Sequence, residues 1–490
     1  MILVGGTTIT QVLSILASPV LTRLFGPEAF GLSALFVSIT SIISVFVCLR
    51  YELAIMLPET EEDAVNLVGV SIFAVILITL LTIPVSYFGS TSIALWLNAP
   101  ELGAYMWLVP PTTFLSGLFL ALNYWNTRTR QFGRLANVRV AGAVTTTGSQ
   151  IGAGIAGFTN AGVLIGGSIL GSFISTFALM VQVWRDDSHL FRKGLHWERM
   201  KQGIIRYRNF PLFDSWAALL NSISTSLPFF LLSIYFSPAI VGFYSLGNRI
   251  LKLPLGFIGS SINQVFYQRA AEAKHKGDEA LRALSHAIFL RLAILGSYPI
   301  FLLMVIGQEV FIVVFGGNWA EAGVFTQILA LWIFITFLTN PMGPLFAVHE
   351  KQKEFLIFNI LLVISRAATL IIGGMTGDAR VAIFLFSATG VIAWGAICYW
   401  ILVLSHISVR QLFREFSPYL AMMTLFFGIL LAGKLLVNMR PEFLVVAGAI
   451  LSAPYYGFVL RRDPELQKFA FATAGKIGFV KKILQWFFPN

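Results

Sequence analysis

Long apolar runs separated by short polar gaps fill almost the whole chain. Fourteen runs of about 18 to 25 residues are long enough, at about 1.5 Å of rise per residue, to cross a hydrocarbon core of about 30 Å as helices. They lie near residues 2–21, 30–49, 65–87, 105–124, 140–158, 162–184, 212–235, 242–266, 284–306, 324–347, 355–374, 381–404, 419–437 and 443–460. Lipid offers the backbone no hydrogen bonds, so each run must pair its own backbone groups. The pattern predicts an all-α polytopic membrane protein with about 14 transmembrane helices.

The Lys and Arg residues are concentrated in alternate gaps between these runs. Of the 34 cations, 26 lie in one set of gaps, and the opposite gaps hold only Arg23, Arg380 and Arg440. Membrane proteins keep their positive loops on the cytoplasmic side. We therefore expect the crowded gaps and both termini to be cytoplasmic. The first run has no basic segment before it, so we expect a span rather than a cleaved signal peptide.

The composition argues against several kinds of function. Hydrophobic residues make up 57% of the chain and charged residues 12%, and no gap is long enough to hold a soluble catalytic domain. The basic residues are scattered over many loops, which is unlike a nucleic-acid-binding domain. Cys48 and Cys398 lie inside predicted helices and the six histidines show no metal-ligand spacing, so we expect no disulfide, metal or cofactor. No phosphate-binding loop is present, so we expect no ATP hydrolysis by this chain.

An internal repeat organises the first 400 residues. The segment that begins at Arg23 aligns without gaps on the segment that begins at Ile234, and it matches Pro27 with Pro238 and Gly31 with Gly242. Further matches pair Asn98, Glu101 and Gly103 with Asn318, Glu321 and Gly323. Each repeat has six spans, an even number, so both halves cross the membrane in the same direction. Such a parallel repeat suits two bundles that rock about a central site.

The repeat divides the chain into five predicted segments. These are an N-terminal six-helix bundle (1–184), a cytoplasmic amphipathic linker (185–211), a C-terminal six-helix bundle (212–404), two additional helices (405–460) and a basic cytoplasmic tail (461–490). The linker contains LHWERMKQGIIRYR, which is typical of a basic helix that lies on the inner leaflet.

Cations occur inside the spans, whereas no Asp or Glu lies well inside one, and Asp214 is only at the cytoplasmic entrance of the seventh. The five cations are Arg249, Lys252, Arg291, Arg366 and Lys434. A Lys or Arg at the centre of a span costs about 2.5 to 3.5 kcal/mol on insertion scales and normally faces a bundle interior or a water-filled cavity. Because the spans offer no acidic partner, we expect an anionic ligand to supply the countercharge. Lys434 lies near a helix end, where its long side chain can reach the interface.

Candidate substrate-binding residues follow from this distribution. We assign the anionic group of the ligand to Arg249, Lys252, Arg291 and Arg366, together with Arg23 in the first repeat. Polar runs inside the spans add hydroxyls and amides that would suit a sugar, and from them we select Thr146, Gln150, Asn221, Ser224 and Asn263. The alternative for each run is hydrogen bonding between packed helices.

Three stretches carry a resemblance to a known family. They are LTRLFGPEAFGLSALF from Leu21, NYWNTRTRQFGRLANVRV from Asn123, and the segment from Tyr207 to Glu272. Together they resemble bacterial polysaccharide biosynthesis exporters of the oligosaccharide flippase type, within the multidrug/oligosaccharidyl-lipid/polysaccharide exporter superfamily. The likeness covers most of residues 5–400, and its most specific part is the segment from Tyr207.

The resemblance implies two six-helix bundles around a central cavity in the bacterial cytoplasmic membrane. It implies alternating access and translocation of an undecaprenyl diphosphate-linked oligosaccharide for O-antigen, capsule or exopolysaccharide synthesis. The implied partners are that lipid, the membrane lipids, a polysaccharide polymerase and glycosyltransferases. We expect a transporter without covalent chemistry or catalytic residues. No buried carboxylate that would couple transport to protons or sodium is evident in the sequence.

Three alternatives stay open. A multidrug antiporter of the same superfamily would favour buried acids over buried arginines, because its substrates are cationic. Fourteen spans, rather than the twelve common in O-antigen flippases, resemble the count of a lipid II flippase. A membrane glycosyltransferase or polymerase would need acidic or histidine residues on sizeable outward loops, and the outward gaps here are short.

Overall fold

Fourteen long helices account for most of the described chain. The computed structural model describes residues 2–253, 266, 269–270 and 272–467. The long helices are α1 (Ile2–Leu24), α2 (Pro27–Ser44), α3 (Glu61–Phe88), α4 (Val109–Arg128), α5 (Phe132–Ile155), α6 (Ala161–Gly194), α7 (Ser215–Tyr235), α8 (Pro238–Leu251), α9 (Asp278–Phe315), α10 (Ala320–Thr339), α11 (Gln352–Met375), α12 (Ala379–Leu404), α13 (Val409–Leu435) and α14 (Pro441–Arg462). No strand occurs among the described residues. The predicted all-α class is confirmed.

Eleven of these helices, within the described residues, are long and apolar enough to cross a membrane. The other three are α1, α5 and α8. Helix α8 is 14 residues long and ends at Leu251, which is shorter than a membrane span needs. Helices α1 and α5 are long enough, at 23 and 24 residues, and both carry several hydroxyl and amide side chains. The chain is a multi-pass membrane protein, and the polar faces of α1 and α5 must be kept away from lipid.

The helix ends follow ordinary capping chemistry. The hydroxyl of Thr60 accepts a hydrogen bond from the Asp63 amide at the start of α3, and the side chain of Asn160 does the same for Val163 at the start of α6. Such caps pair backbone amides that a helix leaves open in its first turn. Proline begins α2, α8 and α14, where its fixed backbone angle fits the first turn and its missing N–H is not needed.

The outside of the helices is apolar. Leu16, Phe88 and Ile392, for example, are 69%, 79% and 75% exposed. A soluble protein does not expose this many large apolar side chains, whereas a surface solvated by lipid tails requires them.

The helices form two compact units. One contains the chain up to Leu246 together with Ala367–Ala382, and the other contains Gly247–Arg366 and the chain from Ile383 onward. In the first unit α1 packs on α5, α5 on α6, and α3 and α4 on each other. In the second unit α10 is largely buried, for example at Phe325, Leu329 and Ile333. Helix α9 packs against α10, α13 and α14. The expected bundle boundaries at 184 and 212 stay a prediction.

A symmetric crossing joins the repeat-related helices α2 and α8 inside the first unit. A Cβ added at Gly31 would lie 1.7 Å from the carbonyl oxygen of Pro238, and a Cβ at Gly242 would lie 1.9 Å from that of Pro27. These four residues are the ones that the sequence repeat pairs with one another. Glycine is needed at both positions because the two backbones touch, which is the contact that small residues permit between membrane helices.

The predicted amphipathic linker forms a helix at Trp197–Arg206 that packs on α3. Asn66 of α3 holds the start of this segment: its amide donates to the Gly194 carbonyl, and its side-chain oxygen accepts from the His196 N–H. The structure has a helix within the predicted linker, while the linker residues up to Gly194 belong to α6. The position of the linker helix on the inner leaflet stays a prediction, as do the tail residues 468–490, which lie outside the described part.

The expectation that Arg291 and Lys434 lack acidic partners is wrong. The Arg291 guanidinium donates to both carboxylate oxygens of Asp463, at 2.9 and 3.4 Å. The Lys434 ammonium lies 2.8 Å from a carboxylate oxygen of Glu309, which is 8% exposed. Hydropathy ended the ninth span at residue 306 and left Asp463 in a tail. In the structure α9 continues past Glu309, and α14 packs on α9 so that Asp463 meets Arg291.

The α2–α8 crossing yields a stability prediction. Replacing Gly31 with alanine forces a methyl group against the Pro238 carbonyl, which no side-chain rotation can relieve. Overpacking of this kind costs about 1 to 3 kcal/mol, so we expect G31A and G242A each to lower the Tm of the purified protein. Gly166→Ala is the matched control, because its Cβ would meet nothing within 4 Å and alanine favours helix. A G31A protein as stable as the G166A protein would contradict the close crossing.

Candidate functional site

Helices α1 and α5 pack against each other in the first unit. Their contact is close where a Cβ added at Gly6 would lie 2.7 Å from the Cβ of Ala136. Beyond this contact both helices present hydroxyl and amide side chains on the faces that they turn toward each other and toward α6. Burying polar side chains between helices removes them from hydrocarbon, where each unsatisfied group is costly.

Small residues bring α5 and α6 equally close. A Cβ at Gly142 would lie 1.9 Å from the Ser175 hydroxyl oxygen, and a Cβ at Gly171 would lie 1.9 Å from that of Thr146. The Ser175 hydroxyl donates to the Val138 carbonyl across this interface. The crossing fixes the polar stretch of α5 relative to α6 through backbone and hydroxyl contacts.

These helices enclose a cavity of about 600 Å³ in the first unit, a size within the range of small-molecule sites. Its lining comes from α1, α4, α5 and α6, with the end of α2. The lining residues are Thr7, Thr10, Gln11, Ser14, Ser44, Val47, Leu115, Ser116, Phe119, Leu120, Arg139, Gly142, Ala143, Thr146, Thr147, Gly171, Ser172, Ser175 and Thr176. More than half of them are Ser, Thr or Gln, inside a chain whose residues are 57% hydrophobic.

Several of the lining hydroxyls donate hydrogen bonds to helix carbonyls. Thr10 donates to the Gly6 carbonyl, Ser116 to that of Thr113 and Thr176 to that of Leu115, at 2.8, 3.0 and 3.3 Å. A hydroxyl that donates to a helix carbonyl keeps its lone pairs for another group. The cavity wall therefore offers hydrogen-bond acceptors to a ligand that brings donors.

Arg139 supplies the charge of the cavity. It lies in the second turn of α5 and is half-buried, and its guanidinium donates to the side-chain oxygen of Asn123 at 2.9 Å. No carboxylate in the described part of the chain pairs with it, and none of the described residues that line the cavity is acidic. Since an arginine keeps its charge in proteins, this cavity has a cation and no carboxylate counterion among the described residues.

The predicted polar residues divide between this cavity and other places. Thr146 lines the cavity. Gln150 does not, because its amide donates to the Leu164 carbonyl and the Ser168 hydroxyl and so ties α5 to α6. Asn221 is exposed and Ser224 is buried, both on α7, and Asn263 lies outside the described residues.

The predicted cations do not meet in this cavity. Arg23 is exposed at the end of α1 and borders a separate cleft with Pro19, Val20 and Leu24. Arg249 and Lys252 have exposed side chains in the second unit, at the end of α8. The Arg366 guanidinium lies over two rings of that unit, 5.2 Å from the centre of Trp332 and 5.8 Å from that of Phe386. Their role in substrate binding stays a prediction.

Sequence reasoning missed Arg139, because it counted this residue among the topogenic charges of a cytoplasmic gap. A signal was present in the spacing. Arg139, Thr146 and Thr147 are seven and eight residues apart, so they share one face of a helix. Extending the fifth span back from residue 140 to the start of α5 at Phe132 would have placed the arginine on the polar face of that helix.

Comparison with known proteins agrees with this architecture. A family described as "Polysaccharide biosynthesis protein" matches residues 20–324, more than half of the chain. Among solved structures, the chain is similar to "Lipid II flippase MurJ, inward closed conformation", with a TM-score of 0.71 and 12% identity over 94% of this chain and 99% of that one.

A multidrug resistance MATE family transporter of the MOP superfamily, in an inward-facing conformation, is similar as well. Its TM-score is 0.64 at 16% identity, over 81% of this chain and 96% of that one. No curated protein sequence matches the chain. At these identities the likeness to solved structures shows the fold, which is the all-α transporter architecture of MurJ and the MATE proteins. Because the family model matches residues 20–324, the chain belongs to the polysaccharide biosynthesis protein family.

Proposed function

We propose that the protein is a flippase that moves an undecaprenyl diphosphate-linked oligosaccharide from the cytoplasmic to the outer leaflet of the bacterial cytoplasmic membrane. Such a step serves the synthesis of O-antigen, capsule or exopolysaccharide. The observation that carries the proposal is the hydroxyl-lined cavity of the first unit, with Arg139 as its cation and no acid among its described lining residues. The family membership and the transporter fold support it.

The sugar part of the ligand matches the wall of the cavity. Each sugar hydroxyl carries one donor, and the wall presents hydroxyl oxygens whose own protons are committed to helix carbonyls, as at Thr10 and Thr176. A site that pairs buried polar groups with ligand hydroxyls discriminates against ligands that lack them, because the unpaired groups then carry a desolvation cost.

The charged part of the ligand matches Arg139. Phosphate oxygens only accept hydrogen bonds, and the guanidinium presents up to five donors in a planar fork that suits them. An arginine inside the membrane is costly unless a partner neutralises it. An anionic head group, or an acidic sugar, supplies that partner when it is bound.

The chemistry of the cavity disfavours the alternatives. A cationic drug would meet Arg139 and no described carboxylate, so binding would be repulsive. A glycosyltransferase or polymerase would need a general acid or base next to the sugar, and the described lining has none. Transport needs no covalent step. We propose that the two repeat halves rock to open the site to each side in turn while the lipid tail stays in the bilayer.

Further contacts with the diphosphate are assigned to Arg249, Lys252 and Arg366 as predictions from the sequence. Arg291 is omitted because Asp463 neutralises it, and Arg23 stays a prediction because it borders a separate cleft. A polysaccharide polymerase and glycosyltransferases are proposed as functional partners that consume and supply the lipid-linked glycan.

Flipping by the purified protein tests the proposed function. In proteoliposomes we expect the protein to transfer a fluorescent undecaprenyl diphosphate oligosaccharide across the bilayer faster than it transfers lipid II or a cationic dye. Access of an added glycosidase or quencher to the outer leaflet measures the rate. Transport of the dye alone would contradict the proposal in favour of a multidrug transporter, and transport of lipid II alone would contradict it in favour of a lipid II flippase.

Substitution of Arg139 tests the charge of the cavity. A hydrogen bond to a charged group contributes about 1.5 to 3 kcal/mol, so R139A should raise the KM for the lipid-linked oligosaccharide about 10- to 100-fold. R139K should lie between R139A and the wild type, because lysine keeps the charge but not the fork. Arg185→Ala, which removes a cation with a 74% exposed side chain, is the control and should leave the KM unchanged. An R139A protein with wild-type KM would show that the head group binds elsewhere.

Paired threonine variants test the hydroxyl wall. Thr146→Val removes a hydroxyl from the cavity, whereas Thr145→Val removes one from the neighbouring residue that does not line it. Loss of one neutral hydrogen bond costs about 0.5 to 1.5 kcal/mol, so we expect T146V to raise the KM about threefold to tenfold and T145V to leave it unchanged. Equal effects of the two changes, measured in the same proteoliposome assay, would argue against a sugar contact at Thr146.

A further inference from the structure

A buried carboxylate lies at one end of the first unit, outside the candidate spans. Glu52 belongs to the short helix Tyr51–Ala54, in the connection between α2 and α3, and is 1% exposed. One of its oxygens is 3.7 Å from the Arg50 guanidinium. The other has no hydrogen-bond partner among the described residues. Sequence reasoning expected no buried carboxylate because hydropathy placed this residue in a solvated gap.

Arg50 connects this carboxylate to a distant part of the chain. Its guanidinium Nε donates to Asp214 at 2.6 Å, across 164 residues of sequence. Asp214 ends the π-helical turn Phe210–Asp214 that leads into α7, the first helix of the second repeat. Arg50 itself has a left-handed backbone, with φ of 63°, which is uncommon for a residue with a side chain. The Arg50–Asp214 pair thus links the connection after α2 to the start of α7.

The charges at this link do not balance when both acids are ionised. Two carboxylates, of Glu52 and Asp214, share one guanidinium. The nearby Arg128 donates to the backbone carbonyls of Ile55, Pro58 and Thr60, so its hydrogen bonds are committed elsewhere. In the described part of the chain, the other titratable groups that interact with Glu52 are the Tyr124 hydroxyl and the Cys48 thiol, which are ordinarily neutral at pH 7.

A proton on Glu52 resolves this imbalance. Burial raises the pKa of Glu52 from its ordinary value to about 7, while Arg50 lowers it and Asp214 raises it. Both protonation states are therefore populated near neutral pH. When Glu52 is ionised it competes with Asp214 for the Arg50 guanidinium. When Glu52 is protonated the competition ends, and Arg50 is committed to Asp214.

We propose that Glu52 is a proton-binding site that controls the Arg50–Asp214 link, so that proton uptake closes this end of the first unit and proton release loosens it. Because the two carboxylates compete for Arg50, the Arg50–Asp214 link is strengthened below the pKa of Glu52 and weakened above it. The consequence for transport, a flipping rate that depends on pH through Glu52, rests on the proposed function. The switch itself does not, because it requires no substrate.

Distances between spin labels on the full-length protein without substrate test the switch. Labels at Glu59 and Arg208, both exposed, report on the two sides of the link, in a background where Cys48 and Cys398 are replaced by serine. We expect the distance to shift from shorter to longer as pH rises, with a midpoint near 7. Glu52→Gln should hold the shorter distance at every pH, and Asp214→Asn should hold the longer one.

Glu61→Gln is the matched control, because it removes an exposed acid in the first turn of α3 and should keep the shift. A pH-dependent distance that survives E52Q would overturn the proposal. If E52Q fails to fold, infrared difference spectra of the wild-type protein decide: a protonated carboxyl band should disappear as pH rises through about 7, and its absence would overturn the proposal. Failure of the flipping assay with an intact distance shift would refute the proposed function alone.

Discussion

The structure depends on one constraint, that a polar side chain in a membrane helix must be turned away from lipid. Helices α1 and α5 carry hydroxyl and amide side chains on the faces that border the cavity of the first unit, among them Thr10, Gln11 and Thr146. They can reside in the bilayer only if their polar faces meet each other and α6. The glycine and alanine contacts at Gly6 and Gly142 make that approach possible. The cavity is the space left between those faces, so the folding constraint and the candidate binding site have the same physical origin.

Charged side chains in the membrane are subject to the same constraint, because they are costly there unless a partner neutralises them. Arg291 and Lys434 are neutralised by Asp463 and Glu309 within the second unit, which makes them structural. Arg139 is not neutralised by any described carboxylate, and this is why we propose it as the partner of the ligand's anionic group. In a water-soluble protein an arginine without an acidic partner would not indicate a ligand site, because water solvates its charge. In a membrane protein it indicates a counterion that arrives with a ligand.

The fold was largely predictable because hydropathy measures the property that the membrane selects. The number of long helices, the linker helix at Trp197–Arg206 and the repeat that pairs Gly31 with Gly242 all follow from local sequence. The site was less predictable, since it depends on which helix faces meet. Thr146 was found because it lies in an obvious polar run. Glu52 was missed because its burial, in a short helix between α2 and α3, depends on tertiary contacts. Local hydropathy does not report such contacts.

Direct mapping of the bound ligand tests the central claim. A lipid-linked oligosaccharide with a photoreactive group beside its diphosphate can be cross-linked to the protein in nanodiscs, and the labelled peptides can be identified by mass spectrometry. The account predicts labelling on the facing segments of α1 and α5, around Thr10 and between Arg139 and Thr147, with loss of the α5 label in R139A. Labelling confined to the lipid-facing surface or to the second unit would contradict it.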